Sequence, residues 1–301
     1  MGTLKFLWTI TRPVQVLTVG VGTWVSAIVL GHTAMLSTQA VSAAITMALL
    51  SLFGSLFHAG FAKVDAPYVR SSVDVPAPHH RRHIVIGAVS SLACCLGMAT
   101  TFLTIFQIGL VVVTATVLFM YTWSAGQTKY WFGRNLVFAY VTTTPILVAQ
   151  VGALASTNHV FTLHEMQTTW ILSLLVLCAY FARETMKSLM EAARRPIGDV
   201  MRELHVDHQH DTGTPVYLGG STVMVICMAA IGGSFALLLT LWPFYIKEIS
   251  VTAALLLTLC LGGTAVTIFF GFFYLSRPIA RGGLTAFTWI AMMCLLLANL
   301  P

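Results

Sequence analysis

Nine runs of mostly apolar residues, each about as long as a membrane-spanning helix, dominate the sequence: 14–31, 40–61, 84–103, 107–125, 136–155, 168–186, 217–241, 250–274 and 283–300. A helix needs about 20 such residues to cross the hydrocarbon core. Lipid offers the backbone no hydrogen-bond partners, so an uninterrupted apolar run that long closes its own bonds as a helix. Composition agrees, with 57% hydrophobic and 9% charged residues among 301, where soluble domains carry about 25% charge. A soluble enzyme, a secreted disulfide scaffold and a disordered regulator are excluded. An outer-membrane barrel is excluded too, because it requires alternating strands of about ten residues. The expectation is an all-α membrane protein of nine transmembrane helices, one transmembrane domain over residues 1–301.

The basic residues orient these spans. All but Lys247 of the 16 Lys and Arg residues fall on one side, before span one or after spans two, four, six and eight. The positive-inside rule places that side in the cytoplasm, with the N-terminus inside and the C-terminus outside. The large cytoplasmic loops then lie at about 62–83, 126–135 and 187–216. The net charge of +6 reads as topology, not as a sign of nucleic-acid binding. The Thr11-Arg12-Pro13 start has no cleavage pattern after it, so the first span reads as a retained helix. The expected location is a bacterial inner (plasma) membrane. Cys94, Cys95, Cys178, Cys227, Cys260 and Cys294 all sit within spans, as small packing residues do.

Most acids collect on the same side as the bases. Asp65 and Asp74 follow span two, and Glu184, Glu191, Asp199, Glu203, Asp207 and Asp211 lie at or beyond the end of span six. Such crowding suits a polar chamber for an anionic ligand held partly through a divalent metal. It also suits ion pairs that merely anchor helix ends, and spacing alone leaves both open. His58, Phe61 and Asp65 share one helical face at i, i+3 and i+7, and Glu184, Ser188 and Glu191 share another at i, i+4 and i+7. The stretch His205–Asp211 has the residue types of a transition-metal site, or of a solvated loop. His79, His80, Arg81, Arg82 and His83 precede span three and suit anionic lipid headgroups, or a ligand.

Three local patterns, taken in order, carry a resemblance. Tyr121 with Lys129, Gly133 and Asn135 is similar to a tyrosine–lysine–glycine–asparagine stretch between helices four and five of the UbiA superfamily of intramembrane prenyltransferases. Arg183-Glu184-x-x-Lys187 resembles the lead into that family's second aspartate motif, and Thr214-Pro215 the opening of its helix seven. The Thr-Arg-Pro start and the three large inner loops also match. The chain resembles a divergent member, because its aspartate motifs are degenerate. The first motif, N-D-x-x-D-x-x-x-D, falls on Phe57, His58, Phe61 and Asp65; in the second, acids fall on Ser188 and Glu191, with Gly198-Asp199 displaced by an insertion.

The resemblance implies a UbiA-like bundle and transfer of a prenyl group from an isoprenoid diphosphate to a lipophilic or aromatic acceptor. It leaves Asp65, Glu184, Glu191 and Asp199 as acids for Mg2+. Arg70, Tyr121, Lys129, Arg134, Asn135, Arg183 and Lys187 would bind the substrate. The lost aspartates raise an alternative: His58, Asp65 and Glu191 act as acid and base in a cyclisation or isomerisation without magnesium and diphosphate. A non-catalytic lipid-binding protein is the third reading. The expected partners are a lipophilic small molecule and membrane lipids, with no nucleic acid.

Overall fold

The computed structural model describes residues 11–31, 36–61, 78–124 and 131–156, with single residues and short pieces between 173 and 290. Among the described residues every regular element is helical: α1 (Pro13–Gly31), α2 (Thr38–Phe61), α3 (Pro78–Phe102), α4 (Ile105–Ser124) and α5 (Trp131–Ser156). The segments Thr38–Phe61, Arg81–Phe102 and Ile105–Thr122 are long and apolar enough to cross a membrane, and Pro13–Ile28 and Ala139–Ala149 are shorter apolar helices. This is an integral membrane protein. The predicted spans six to nine lie largely outside the described residues.

Two helices begin earlier than the apolar pattern suggests. α3 starts at Pro78 and takes in the basic run before span three, and α5 starts at Trp131 and takes in Arg134 and Asn135. Charge ends an apolar run without ending a helix, since Arg has good helix propensity. Proline at the first helical position also suits a start, because its fixed φ and missing N–H cost nothing there.

The chain divides into two compact units, Met1–Gln127 with Thr144–Phe161, and Thr128–Thr143 with Thr162–Pro301. The dividing point in α5 falls one residue before Pro145, which interrupts that helix's own hydrogen-bond ladder. In the first unit α2 packs against α1, α3 and α4. Its burial covers a broad arc of the helix, from Ser51 through Ala40, Met47, Leu50 and Phe57 to Ser42 and Leu56, and leaves Val41 and Ile45 exposed. α3 and α4 each bury one stripe instead: Ile84, Ala88, Ser91, Cys95 and Ala99 on α3, and Gln107, Val111, Thr114, Leu118 and Thr122 on α4. Their opposite faces expose Ile86, Val89, Phe102, Phe106, Val112 and Val113.

That distribution inverts the rule for water-soluble proteins. Lipid tails are as apolar as leucine, so helices associate through close packing and a few polar bonds. The contacts between helices use small residues accordingly. Gly20 faces the Ala48 methyl, Gly54 meets Leu118, and Gly60 meets Val85. Ala27, Ala40 and Ala149 form one cluster beside Trp24. The Ser91 hydroxyl donates to the Leu49 carbonyl at 2.9 Å, and the Cys95 thiol to the Thr46 carbonyl at 3.4 Å.

Two glutamines clamp α5. Gln39 Nε2 donates to the Gly152 carbonyl and Gln107 Nε2 to the Val148 carbonyl, both at 2.8 Å. Gln107 also caps its own helix, because its Oε1 accepts from the Thr104 backbone N–H at 3.0 Å and from the Thr104 hydroxyl at 3.2 Å. Every atom of this buried amide that can bond is thereby used, as burial away from water requires. A Cβ at Gly152 would overlap the Gln107 amide. Gly152→Ala is therefore expected to cost about 1–3 kcal/mol through overpacking, read as a lower thermal midpoint in detergent. Adding Gln107→Ala removes the overlap, so the double variant should lose less than the sum of the two single ones. Additive losses would show that the two residues do not meet.

Candidate functional site

The α2 sequence sets phenylalanines at 53, 57 and 61, four apart, so they stack along one face. The Phe57 ring lies 5.3 Å from Phe53 and 4.5 Å from Phe61, and 5.3 Å from Phe119 of α4. Phe57 is 6% exposed while Phe119 is 43% exposed, so the cluster runs from the core to the surface of α4. His58, the next residue along α2, turns to a neighbouring face. Its ring lies 6.1 Å from the Tyr121 ring at an interplanar angle of 22°. Both are half-buried.

Neighbouring helices hold this end of α2 in place. Arg81, near the start of α3, donates its Nε to the Gly60 carbonyl at 2.7 Å. The last carbonyls of a helix lack partners within it, and a basic side chain is a suitable cap. The absence of a side chain at Gly60 lets Val85 and Ile84 come close. α1 runs antiparallel to α2, since Gly20 meets Ala48 while Ala27 clusters with Ala40. The start of α1 thus shares an end with His58. There Arg12 adopts a positive φ of 47°, and its carbonyl accepts from the backbone N–H of Gln15 and Val16. A bulky residue in that conformation is strained, and it turns the chain sharply into Pro13.

Of the site residues expected from sequence, the structure brings His58 and Tyr121 together, although 62 residues separate them in the chain. Arg134 and Asn135 lie in the opening turns of α5. Asp65, Arg70, Lys129, Arg183, Glu184, Lys187, Glu191 and Asp199 lie outside the described residues. So does the His205–Asp211 stretch. Among the described residues no group of three His, Cys, Asp or Glu side chains is placed to hold a metal.

Phe57 and Phe61 occupy positions where the resemblance expects polar or acidic metal-binding residues. Their rings are packed against one another, and Phe57 is packed against Phe119 as well. Magnesium takes oxygen ligands in a near-octahedral set, so the residues at this end of α2 do not fit the family's first metal cluster. The 53–57–61 spacing signals the place of Phe53 in this wall, whereas no sequence signal marks Phe119. The helix-capping bond of Arg81 carried no such signal.

Different losses are expected for the two neighbours on α2. Phe57→Ala empties a core position and should cost about 3 kcal/mol. His58→Ala, at a half-buried position, should cost about 1 kcal/mol or less. Thermal midpoints of the purified variants separate the two. An equal drop would make His58 a packing residue.

No family model matches the chain, and none of the curated proteins does so significantly. Solved structures do. A digeranylgeranylglyceryl phosphate synthase studied in membranes superimposes with a TM-score of 0.65 at 15% identity, over 99% of this chain and 99% of that one. The apo structure of a UbiA homolog from Aeropyrum pernix K1 gives 0.65 at 16% identity, over 97% and 99%. The resemblance carried by the sequence motifs thus holds along nearly the whole chain at the level of architecture: this protein has the UbiA fold.

Proposed function

We propose that the chain is an intramembrane prenyltransferase of the UbiA superfamily, moving a prenyl group from an isoprenoid diphosphate to a lipophilic or aromatic acceptor. One observation supports it most directly: an ionisable His58 and a phenolic Tyr121 meet at the helix ends where an aromatic wall begins. In this reading the nine spans form a single bundle, the N-terminus is cytoplasmic, and the site opens to the inner face of a bacterial plasma membrane.

The chemistry follows from the residue types. The allylic C–O bond breaks and its electron pair leaves with the diphosphate. Arg70, Lys129, Arg134, Arg183 and Lys187 stabilise the departing anion, with Tyr121 and Asn135 as hydrogen-bonding partners. Ring faces such as those of Phe61 and the more exposed Phe119 stabilise the cation left behind. The acceptor's nucleophilic atom bonds to that carbon, and His58, at an aromatic and half-buried position, takes the proton it loses. Magnesium, where bound, supplies positive charge against diphosphate, and its proposed ligands are Asp65, Glu184, Glu191 and Asp199.

The packing of Phe57 and Phe61 favours a second reading. With an imidazole and a ring in place of the first two acids, His58 would protonate or deprotonate a neutral polyene, and Asp65 and Glu191 would act with it, giving cyclisation or isomerisation with no diphosphate released. Metal dependence decides between the two. For the transferase, EDTA should abolish turnover of an isoprenoid diphosphate, and Asp65→Ala with Glu191→Ala should lower it by at least about a hundredfold. Undiminished turnover in either experiment would refute it.

His58→Ala tests the shared element. Loss of a positioned acid or base costs typically 10²–10⁴-fold in rate, so a fall in kcat of about a hundredfold or more is expected, with substrate retention little changed. Full activity in this variant would remove His58 from the chemistry under both readings. Identifying the native lipids that copurify with the protein, with and without added magnesium, names the substrate class directly.

A further inference from the structure

We propose that the beginning of α3 is a binding surface for an anionic phospholipid. Residues 79–83 read His-His-Arg-Arg-His, and Arg81, Arg82 and His83 are exposed. The first turn of α3 carries no acid to offset them. The apolar span starts at once, at Arg81. Along the exposed side of the helix Arg82 is followed at i+4 by Ile86 and at i+7 by Val89, which are 52% and 60% exposed. These three residues lie on one face. At 1.5 Å rise per residue, cation and second aliphatic side chain are about 10 Å apart along the axis.

That arrangement has the profile of a lipid. A guanidinium sits at headgroup depth, and bare aliphatic side chains continue below it where the acyl chains run. Free phosphate needs only the upper part, and a nucleic acid has no use for the lower one. Arg81 adds a fixed element. Its Nε is committed to the Gly60 carbonyl, which holds the guanidinium plane in place. Four of the five N–H groups of an arginine, those on the two terminal nitrogens, are left for another acceptor. A phosphate diester held by Arg82 and reached by the free end of the Arg81 guanidinium is therefore bound to the same side chain that meets the Gly60 carbonyl, two residues beyond His58.

The test uses the full-length protein in a neutral detergent, with phosphatidylglycerol, phosphatidylcholine or inorganic phosphate added separately. Retained lipid is counted by native mass spectrometry, and thermal midpoints are recorded alongside. Phosphatidylglycerol should be retained and raise the midpoint, whereas phosphatidylcholine and millimolar phosphate should do neither. Arg82→Gln should weaken phosphatidylglycerol retention about fivefold, the usual worth of one basic residue at an anionic surface. Arg82→Lys should restore it. Since Arg82 is exposed, the lipid-free midpoint of Arg82→Gln should match that of the unaltered protein, which separates binding from folding. Equal retention of the two lipids would overturn the proposal. So would phosphatidylglycerol binding unaffected by Arg82→Gln, or stabilisation by inorganic phosphate alone.

Discussion

A hydrocarbon solvent that can neither accept a hydrogen bond nor drive apolar surfaces together is the constraint behind the rest of this structure. It requires each segment to close its own backbone bonds, which makes helices. It also removes the usual reason for helices to associate, so they must find one in contact itself. The helices of the first unit find it with glycine, alanine, serine and cysteine at their interfaces and with large aliphatic residues turned outward. The buried glutamines matter for the same reason. An amide that bonds to a carbonyl on another helix fixes register where apolar surface cannot.

The candidate site grows out of this packing. The last described turns of α2 are flanked by neighbouring helices, with Gly60 close to Val85 and its carbonyl bonded by Arg81. On that support one face presents stacked phenylalanines and the next presents His58 against Tyr121. Aromatic rings at positions where a resembling family has metal-binding side chains change what this end of the molecule can bind. The stacked rings offer no oxygen to a hard metal. Any role for magnesium must therefore come from acids elsewhere in the chain.

Much of this architecture was legible beforehand, because the signals are local. Spans one to five were marked by continuous apolar runs, and the helices fall within a few residues of them. The exceptions are instructive. The polarity of His79–His83 and residues 131–135 predicts loop, yet they are helical: polarity reports solvent and not backbone conformation. His58 and Tyr121 could each be suspected from a motif position. That they stack depends on how α2 and α4 pack, which the glycine at 54 against Leu118 helps to set.

Local sequence suffices to establish that the chain is helical, that it lives in a membrane and which residues carry its charge, since each follows from the solvent preference of short stretches. Only the way the helices pack brings the Phe57 ring to Phe119, the Gln107 amide to the Val148 carbonyl, and Arg81 to the carbonyl of Gly60. These contacts join residues 21 to 62 positions apart. In lipid both faces of a helix are apolar, so the hydrophobic pattern that would reveal an inner face in water says little about which face meets which.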